Sequence, residues 1–255
     1  MNSYRSFLEE FPATPYRDSL VAEIFKISTA PNRIADYESF LKEYPSEEYQ
    51  EVAYKRIYHV FKEKYGSADF LKFFPSAKFA DSIKNVQQLE QGFWIPRLTD
   101  GSIEFIDSNG SSMLKTKFSS VPESCLCEPT TTDFIIGSQA SGSSIVARNG
   151  QVLYSGTFQK AKDAGYGFIV LESEDGERLI HKSGKKVISE AKEEIKVLNE
   201  SFIRTKVNGL YGLESIEGLK YLKNEFIDID LFNQYVWLQK EIGIALVSPE
   251  VLYAA

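Results

Sequence analysis

The chain has 255 residues, of which 43% are hydrophobic and 25% charged, the balance of a folded protein with room for one or two domains. Its net charge is −7 and it contains no run of five or more Lys/Arg residues, which disfavours a nucleic-acid or anionic-membrane partner. No apolar stretch approaches the roughly 20 residues that cross a bilayer, and no apolar signal segment follows Met1. The chain alone indicates a cytoplasmic protein, or an envelope protein whose leader was removed.

Residues 1–91 have the spacing of amphipathic helices arranged in helix-turn-helix units. Apolar residues recur at helical spacing in three segments, each followed at once by proline: Tyr4 to Phe11 before Pro12, Tyr37 to Tyr44 before Pro45, and Phe70 to Phe74 before Pro75. Each proline predicts a helix end, because it pushes the preceding residue out of the α region. Second helices are predicted after the N-caps Thr14 and Ser46, and Gly66 is the expected stop of the longer one.

The recurring pattern aromatic-x-x-Phe-Leu-x-x-aromatic-Pro resembles the tetratricopeptide-like repeats of bacterial envelope and scaffold proteins. This resemblance implies a short helical solenoid, since one hairpin has too little apolar area to be stable alone. The domain boundary is predicted at Gln91–Gly92. Residues 83–91 leave two interpretations open: they continue a helical stripe, or residues 86–91 form a strand that closes the next domain.

Residues 92–255 show short alternating runs between glycine turns. The strongest hairpin signals are Asp100-Gly101, Asn109-Gly110, Asn149-Gly150, Asp175-Gly176 and Asn208-Gly209. Four apolar pairs follow one another at a step of 34 residues: Phe134-Ile135, Phe168-Ile169, Phe202-Ile203 and Val236-Trp237. A constant step predicts repeated β units. In the third unit the predicted strands are residues 167–172, 177–181, 185–189 and 195–199.

Two segments, DGSIEFID from Asp100 to Asp107 and NGLYGL from Asn208 to Leu213, resemble the pattern of WG-repeat proteins. The resemblance implies a β-repeat interaction module. Four short strands per unit suggest propeller blades. The expected fold class is therefore α+β in two segregated parts, a helical repeat followed by a small five-bladed β-propeller. The ring is expected to be open, or completed by residues 86–91 or by residues beyond this chain.

Few residues in the sequence point to chemistry. Cys125 and Cys127 share one face of a predicted strand and are too few for a disulfide framework or a closed zinc site. His59 and His181 have no second histidine or cysteine at ligand spacing. No phosphate-binding loop, dinucleotide fingerprint or nucleophile elbow occurs. We therefore expect no cofactor, no metal and no catalytic residues.

Aligning the β units at residues 93, 134, 168, 202 and 236 places one residue of each innermost strand on a common rim. These residues are Arg97, Ser138, Glu172, Lys206 and Lys240. One carboxylate among three cations is a poor acid/base pair, so the four charged residues are predicted to bind an acidic ligand. The expected function is a non-catalytic scaffold that binds a protein or peptide. The alternative is a carbohydrate-binding or glycoside-hydrolase-like five-bladed propeller.

Overall fold

The computed structural model describes residues 2–45, 47–66, 69–75, 77, 95–106, 109–112, 114, 117–122, 134–139, 142–147 and 152–254. A helical part comes first and an antiparallel β part follows, which confirms the predicted order of two segregated parts. The β part consists of several small sheets, and within the ranges given none of them closes into a barrel. In those same ranges no helix is long and apolar enough to cross a membrane.

Several sequence predictions lie outside the described residues. They are the N-cap at Ser46, the boundary at Gln91–Gly92, the two interpretations of residues 83–91, the Asn149-Gly150 turn, and the strand that carries Cys125 and Cys127.

The helical part contains α1 (Asn2–Glu10), α2 (Arg17–Ser28), α3 (Ile34–Glu43), α4 (Glu47–Tyr65) and α5 (Phe70–Phe73). The predicted stop at Gly66 is confirmed: its φ is +76°, and its N–H donates to the Lys62 carbonyl at 2.9 Å. The predicted N-cap at Thr14 is wrong. The Thr14 carbonyl accepts the Arg17 N–H at 3.2 Å, and this turn delays the start of α2 to Arg17.

Aromatic side chains from three helices form the centre of the helical core. The ring of Phe25 lies 4.9 Å from that of Phe40 and 5.1 Å from that of Tyr49. The predicted stripes of the second and third segments are therefore core-facing, as Phe40 and Phe70 are almost fully buried. The first stripe differs, because Leu8 is buried whereas its aromatic neighbours are exposed.

Among the described residues, strands that are adjacent in sequence pair to form five antiparallel sheets. The sheets are β1 (Ile95–Thr99) and β2 (Ser102–Ile106); β3 (Phe134–Gln139), β4 (Gly142–Ala147) and β5 (Val152–Gly156); β6 (Lys160–Gly165), β7 (Phe168–Ser173), β8 (Gly176–His181) and β9 (Lys186–Lys192); β10 (Glu194–Val197), β11 (Ile203–Val207), β12 (Leu210–Glu214) and β13 (Lys220–Phe226); and β14 (Asp228–Phe232), β15 (Tyr235–Lys240) and β16 (Gly243–Val247). A short helix, α6 (Pro249–Ala254), follows the last strand.

The predicted division of the chain into four-stranded units is wrong by one strand. Residues 195–199 were expected to complete the third unit, but β10 pairs with β11 and so belongs to the fourth sheet. The reason is a side-chain turn, since the Asn199 carboxamide oxygen accepts the N–H groups of Ser201 and Phe202 at 2.9 Å each. This turn folds β10 back onto β11, and β6 takes the outer place in the third sheet.

Successive sheets pack face against face through apolar side chains. Leu179 and Ile188 of the third sheet, for example, lie in one buried cluster with Ile195 and Ile203 of the fourth. Similar clusters join the first sheet to the second, the second to the third and the fourth to the fifth. Each sheet therefore depends on its neighbours for the burial of its apolar faces.

The helical part is seated on one end of the third and fourth sheets. The Asn32 carboxamide donates to the Glu200 carbonyl at 2.7 Å, and the Ser201 hydroxyl donates to the Pro31 carbonyl. On α4, the side chain of Glu63 accepts the Tyr166 N–H at 3.0 Å. These contacts involve the turns of the hairpins β6–β7 and β10–β11, which lie at the same end of the two sheets.

Candidate interaction surface

The four predicted binding residues lie on separate strands, and a neighbouring side chain holds each of them. Arg97 pairs with Glu104 at 2.6 Å on the first sheet, and Glu172 pairs with Lys162 on the third. The other two are held in a similar way: the Lys206 ammonium lies 5.2 Å from the ring centre of Tyr211, and Lys240 pairs with Glu225 at 2.6 Å. Within the described part of the chain, no ion pair or hydrogen bond joins any two of the four.

The basic partners lower the pKa values of the carboxyl groups in these pairs. The hydrogen bond from Arg97 lowers the pKa of Glu104, and those from Lys162 and Lys240 lower the pKa of Glu172 and Glu225. The charges of Arg97, Glu172 and Lys240 are thus compensated locally, whereas Lys206 lies against the Tyr211 ring. The binding role of the rim stays a prediction.

The strand register also separates the four residues. Glu172 and Lys206 are the second-to-last residues of β7 and β11, whereas Lys240 is the last residue of β15 and Arg97 is the third from the end of β1. A shift of one residue turns a side chain to the other face of a strand. The β units were aligned on their apolar residue pairs, and this alignment missed the shift. The pairing register of each hairpin is set by its two-residue turn and not by the apolar pairs.

The last sheet has one packed face and one open face. Ile229, Val236 and Leu238 point toward the fourth sheet and are buried there. The opposite side is called the outer face here. The cross-strand register places five large apolar side chains on it, namely Phe232, Tyr235, Trp237, Ile244 and Leu246.

The outer face exposes side chains that the earlier sheets bury. The fourth residue of β2, β4, β8 and β12 has no exposed surface in any of these strands: Phe105, Ile145, Leu179 and Leu213 are all 0% exposed. Each of them packs toward the next sheet along the chain. The fourth residue of β16 is Leu246, which is 52% exposed. Phe232 and Ile244 beside it are 57% and 64% exposed.

The edge of the last sheet is open as well. The strands that correspond to β16 in the third and fourth sheets are β8 and β12. Each of them pairs with one further strand, β9 or β13 respectively. No described strand pairs with the free side of β16. From Ile242 to Ser248 the chain has no charged residue, although charges are a common protection of sheet edges. The outer face and this edge together form the candidate interaction surface.

A second polar centre lies where α4 meets the third sheet. The rings of His59 and His181 are 5.1 Å apart and nearly perpendicular. The Ser183 N–H donates to Nδ1 of His181 at 3.0 Å, so Nε2 carries the ring proton. The pKa of His181 lies well below its ordinary value. Burial is the main cause, and the positive charge of Arg56 is the second. No pattern in the sequence indicates this pairing, because His59 lies on α4 of the helical part and His181 on β8 of the β part.

A cavity of about 300 Å³ lies between α2 and the α3–α4 hairpin. Its wall includes Asp18, Tyr44, Glu48 and Tyr49. Burial is the main cause that raises the pKa of Tyr49, and the charges of Glu48 and Asp18 add to it. The volume is at the lower limit of small-molecule sites.

The described residues contain no group of three or more His, Cys, Asp or Glu side chains arranged to hold a metal ion. No protein-family model matches the chain, and no curated protein matches it either.

Proposed function

We propose that the protein is a non-catalytic scaffold that binds a protein partner through the outer face of its last sheet and the adjoining edge of β16. One observation carries the proposal: Leu246 is half exposed, while Phe105, Ile145, Leu179 and Leu213 at the same place in the earlier sheets are fully buried. Contiguous exposed apolar surface on a folded protein marks an interaction site.

The chemistry of the outer face favours a protein partner over a small polar ligand. Phe232, Tyr235 and Trp237 supply aromatic area, and such residues are enriched where proteins meet. Ile244 and Leu246 add aliphatic area next to an unpaired strand edge. A partner that presents an extended segment can satisfy the edge and cover the face at the same time.

The finer description of the fold is part of the same proposal. The first strands of the last three sheets begin at Lys160, Glu194 and Asp228, a step of 34 residues each time. This step supports WG-like β units that stack in propeller fashion, joined to tetratricopeptide-like helices. Modules of both kinds bind partners on surfaces shared between units.

Affinity capture with matched variants tests the proposal. The variant Ile244→Lys/Leu246→Lys places two charges on the outer face and should lose a protein that the unchanged chain retains from a native lysate. The control Leu98→Lys/Val152→Lys makes the same change at two other exposed strand residues and should retain it. A captured protein that is held equally by all three chains would contradict the proposal.

A carbohydrate-binding role is the second candidate, because Phe232, Tyr235 and Trp237 line one face and could stack on sugar rings. Retention on a glycan array that Trp237→Ala abolishes, with no protein captured, would favour it. The predicted rim is tested separately by Lys206→Glu and Lys240→Glu. Unchanged affinity of the captured partner for both variants would remove these residues from the binding site.

A further inference from the structure

We infer that the free edge of β16 pairs in antiparallel fashion with β16 of a second copy of this chain, so that the two outer faces form one continuous surface. The inference rests on the proposed function and names one partner of the same site. Three features support it: the geometry of the β16 edge, the symmetry of the β16 sequence, and the poor match between that edge and β1 at the other end of the stacked sheets.

The geometry of the edge suits an added strand. β16 pairs with β15 over five consecutive residue pairs without a register shift. The equivalent strands β8 and β12 are different, because bulges interrupt their pairing with β9 and β13. Bulges, charges and prolines are the usual devices that prevent edge pairing. β16 has none of the three, and its free side is regular along its full length.

The sequence of β16 is complementary to itself when two copies run antiparallel. A two-fold axis at Ala245 places Ile244 of one copy opposite Leu246 of the other, and Leu246 opposite Ile244. On the other side of the sheet Gly243 meets Val247, so no large side chains collide. Directly opposite side chains on one face of an antiparallel pair are in contact, so these aliphatic residues would pack on one another across the new pair of strands. The two Glu241 carboxylates lie at opposite ends of the paired strands.

The opposite end of the stack is a poor match for the same edge. The first of the described strands, β1, contains Pro96, which cannot donate a ladder hydrogen bond, and Arg97, which is paired with Glu104. Head-to-tail growth of the stack is therefore disfavoured. A closed pair related by a two-fold axis is the arrangement that remains, and such pairs are the commonest protein oligomers.

The pairing is expected to be weak. One added strand contact of five residues buries much less than the roughly 800 Å² per partner of a standard stable interface. We expect a dissociation constant on the order of 10–100 µM. The dimer then forms only at high local concentration, or when a common partner covers both outer faces.

Sedimentation velocity of the full chain between about 1 and 1000 µM, which is one decade on either side of the expected constant, tests the inference. The unchanged chain should pass from monomer to dimer across this range. The variant Ile244→Lys/Leu246→Lys should stay monomeric, because the register places its two lysines opposite each other. The matched variant Ile244→Lys/Leu246→Glu places opposite charges across the axis and should dimerise at least ten-fold more tightly than the first variant.

Two results would overturn the inference: a monomeric unchanged chain at the highest concentration, or the same self-association in both variants. The outcome can be separated from that of the proposed function. If the unchanged chain stays monomeric and the variant Ile244→Lys/Leu246→Lys fails to capture the protein, only the second-copy inference is contradicted. A chain that dimerises as expected but captures the protein regardless of the substitutions contradicts only the wider scaffold role.

Discussion

Arg56 of α4 and Glu217 of the β12–β13 turn form a buried ion pair between the helical part and the fourth sheet. The Arg56 Nη2 atom lies 3.4 Å from Oε1 of Glu217, and the two side chains are 0% and 1% exposed. Lys185 contacts the other Glu217 oxygen. None of the three Arg56 side-chain nitrogens makes a hydrogen bond to the described residues. The pair therefore joins the helical part to the fourth sheet by charge more than by hydrogen bonding.

Removal of one member of this pair should destabilise the protein strongly. Glu217→Gln leaves the buried guanidinium without its counter-charge, and we expect a loss of about 3–5 kcal/mol in the free energy of unfolding. The double variant Arg56→Met/Glu217→Gln should lose less than the sum of the two single variants. Urea unfolding at neutral pH measures the difference. The control Glu225→Gln breaks an exposed pair and should change little. If the loss of unfolding free energy in the double variant equalled the sum of the losses in the two single variants, this account would be contradicted.

Gly167 should tolerate alanine much less well than Gly209. Both have positive φ, +85° and +77°. A Cβ on Gly167 would lie 2.6 Å from atoms of His181 and His59, whereas a Cβ on Gly209 meets nothing within 4 Å. We expect Gly167→Ala to lower the free energy of unfolding by about 3 kcal/mol, and Gly209→Ala by about 1 kcal/mol. Equal losses in urea unfolding would show that the histidines can move aside.

Stability should fall between pH 7.5 and 5.5. The pKa of His181 lies well below 6.5 in the folded chain, mainly through burial. In the unfolded chain the ring takes up a proton below about pH 6.5, so the unfolded state binds more protons and is favoured by acid. This one group should remove on the order of 1 kcal/mol over the interval. The variant His181→Gln should flatten the pH dependence, and an unchanged slope would rule out His181 as its source.

Leucine truncation should distinguish a covered sheet from an open one. Leu213→Ala removes a fully buried side chain between the fourth and fifth sheets, and we expect a loss of about 2–5 kcal/mol. Leu246→Ala changes the same strand position on the outer face, and we expect a loss below about 1 kcal/mol. Urea unfolding at low micromolar concentration keeps any self-association out of the comparison. Similar losses would mean that the outer face is covered.

The sequence predicts the local structure of the β part well. The pairs Asp100-Gly101 and Asn208-Gly209 have positive φ at both residues and occupy tight turns, as the steric freedom of these residue types requires. The observed β7 and β8 agree with the predicted strands to within about one residue. These features depend on neighbouring residues only, which is why the sequence alone suffices for them.

The arrangement of distant residues could not be predicted in the same way. The sequence shows Arg56 as one charge on a helix and Glu217 as one residue of a turn, and only folding brings them together. The contact of His59 with His181 arises similarly. The outer face was also missed, because Ile244 and Leu246 follow the alternation of a covered strand. Exposure depends on which sheet comes next, and no local pattern records that.

The seating of the helices on the third and fourth sheets has a consequence for the order of folding. Each sheet is built from strands adjacent in sequence, so it can form soon after it leaves the ribosome. Arg56 and Asn32 are synthesised long before Glu217 and Glu200, with which they make contact. The Arg56 side chain of the helical part therefore stays hydrated until Glu217 has been synthesised. The helical part docks on the two sheets late in folding, and Arg56 is desolvated at that step.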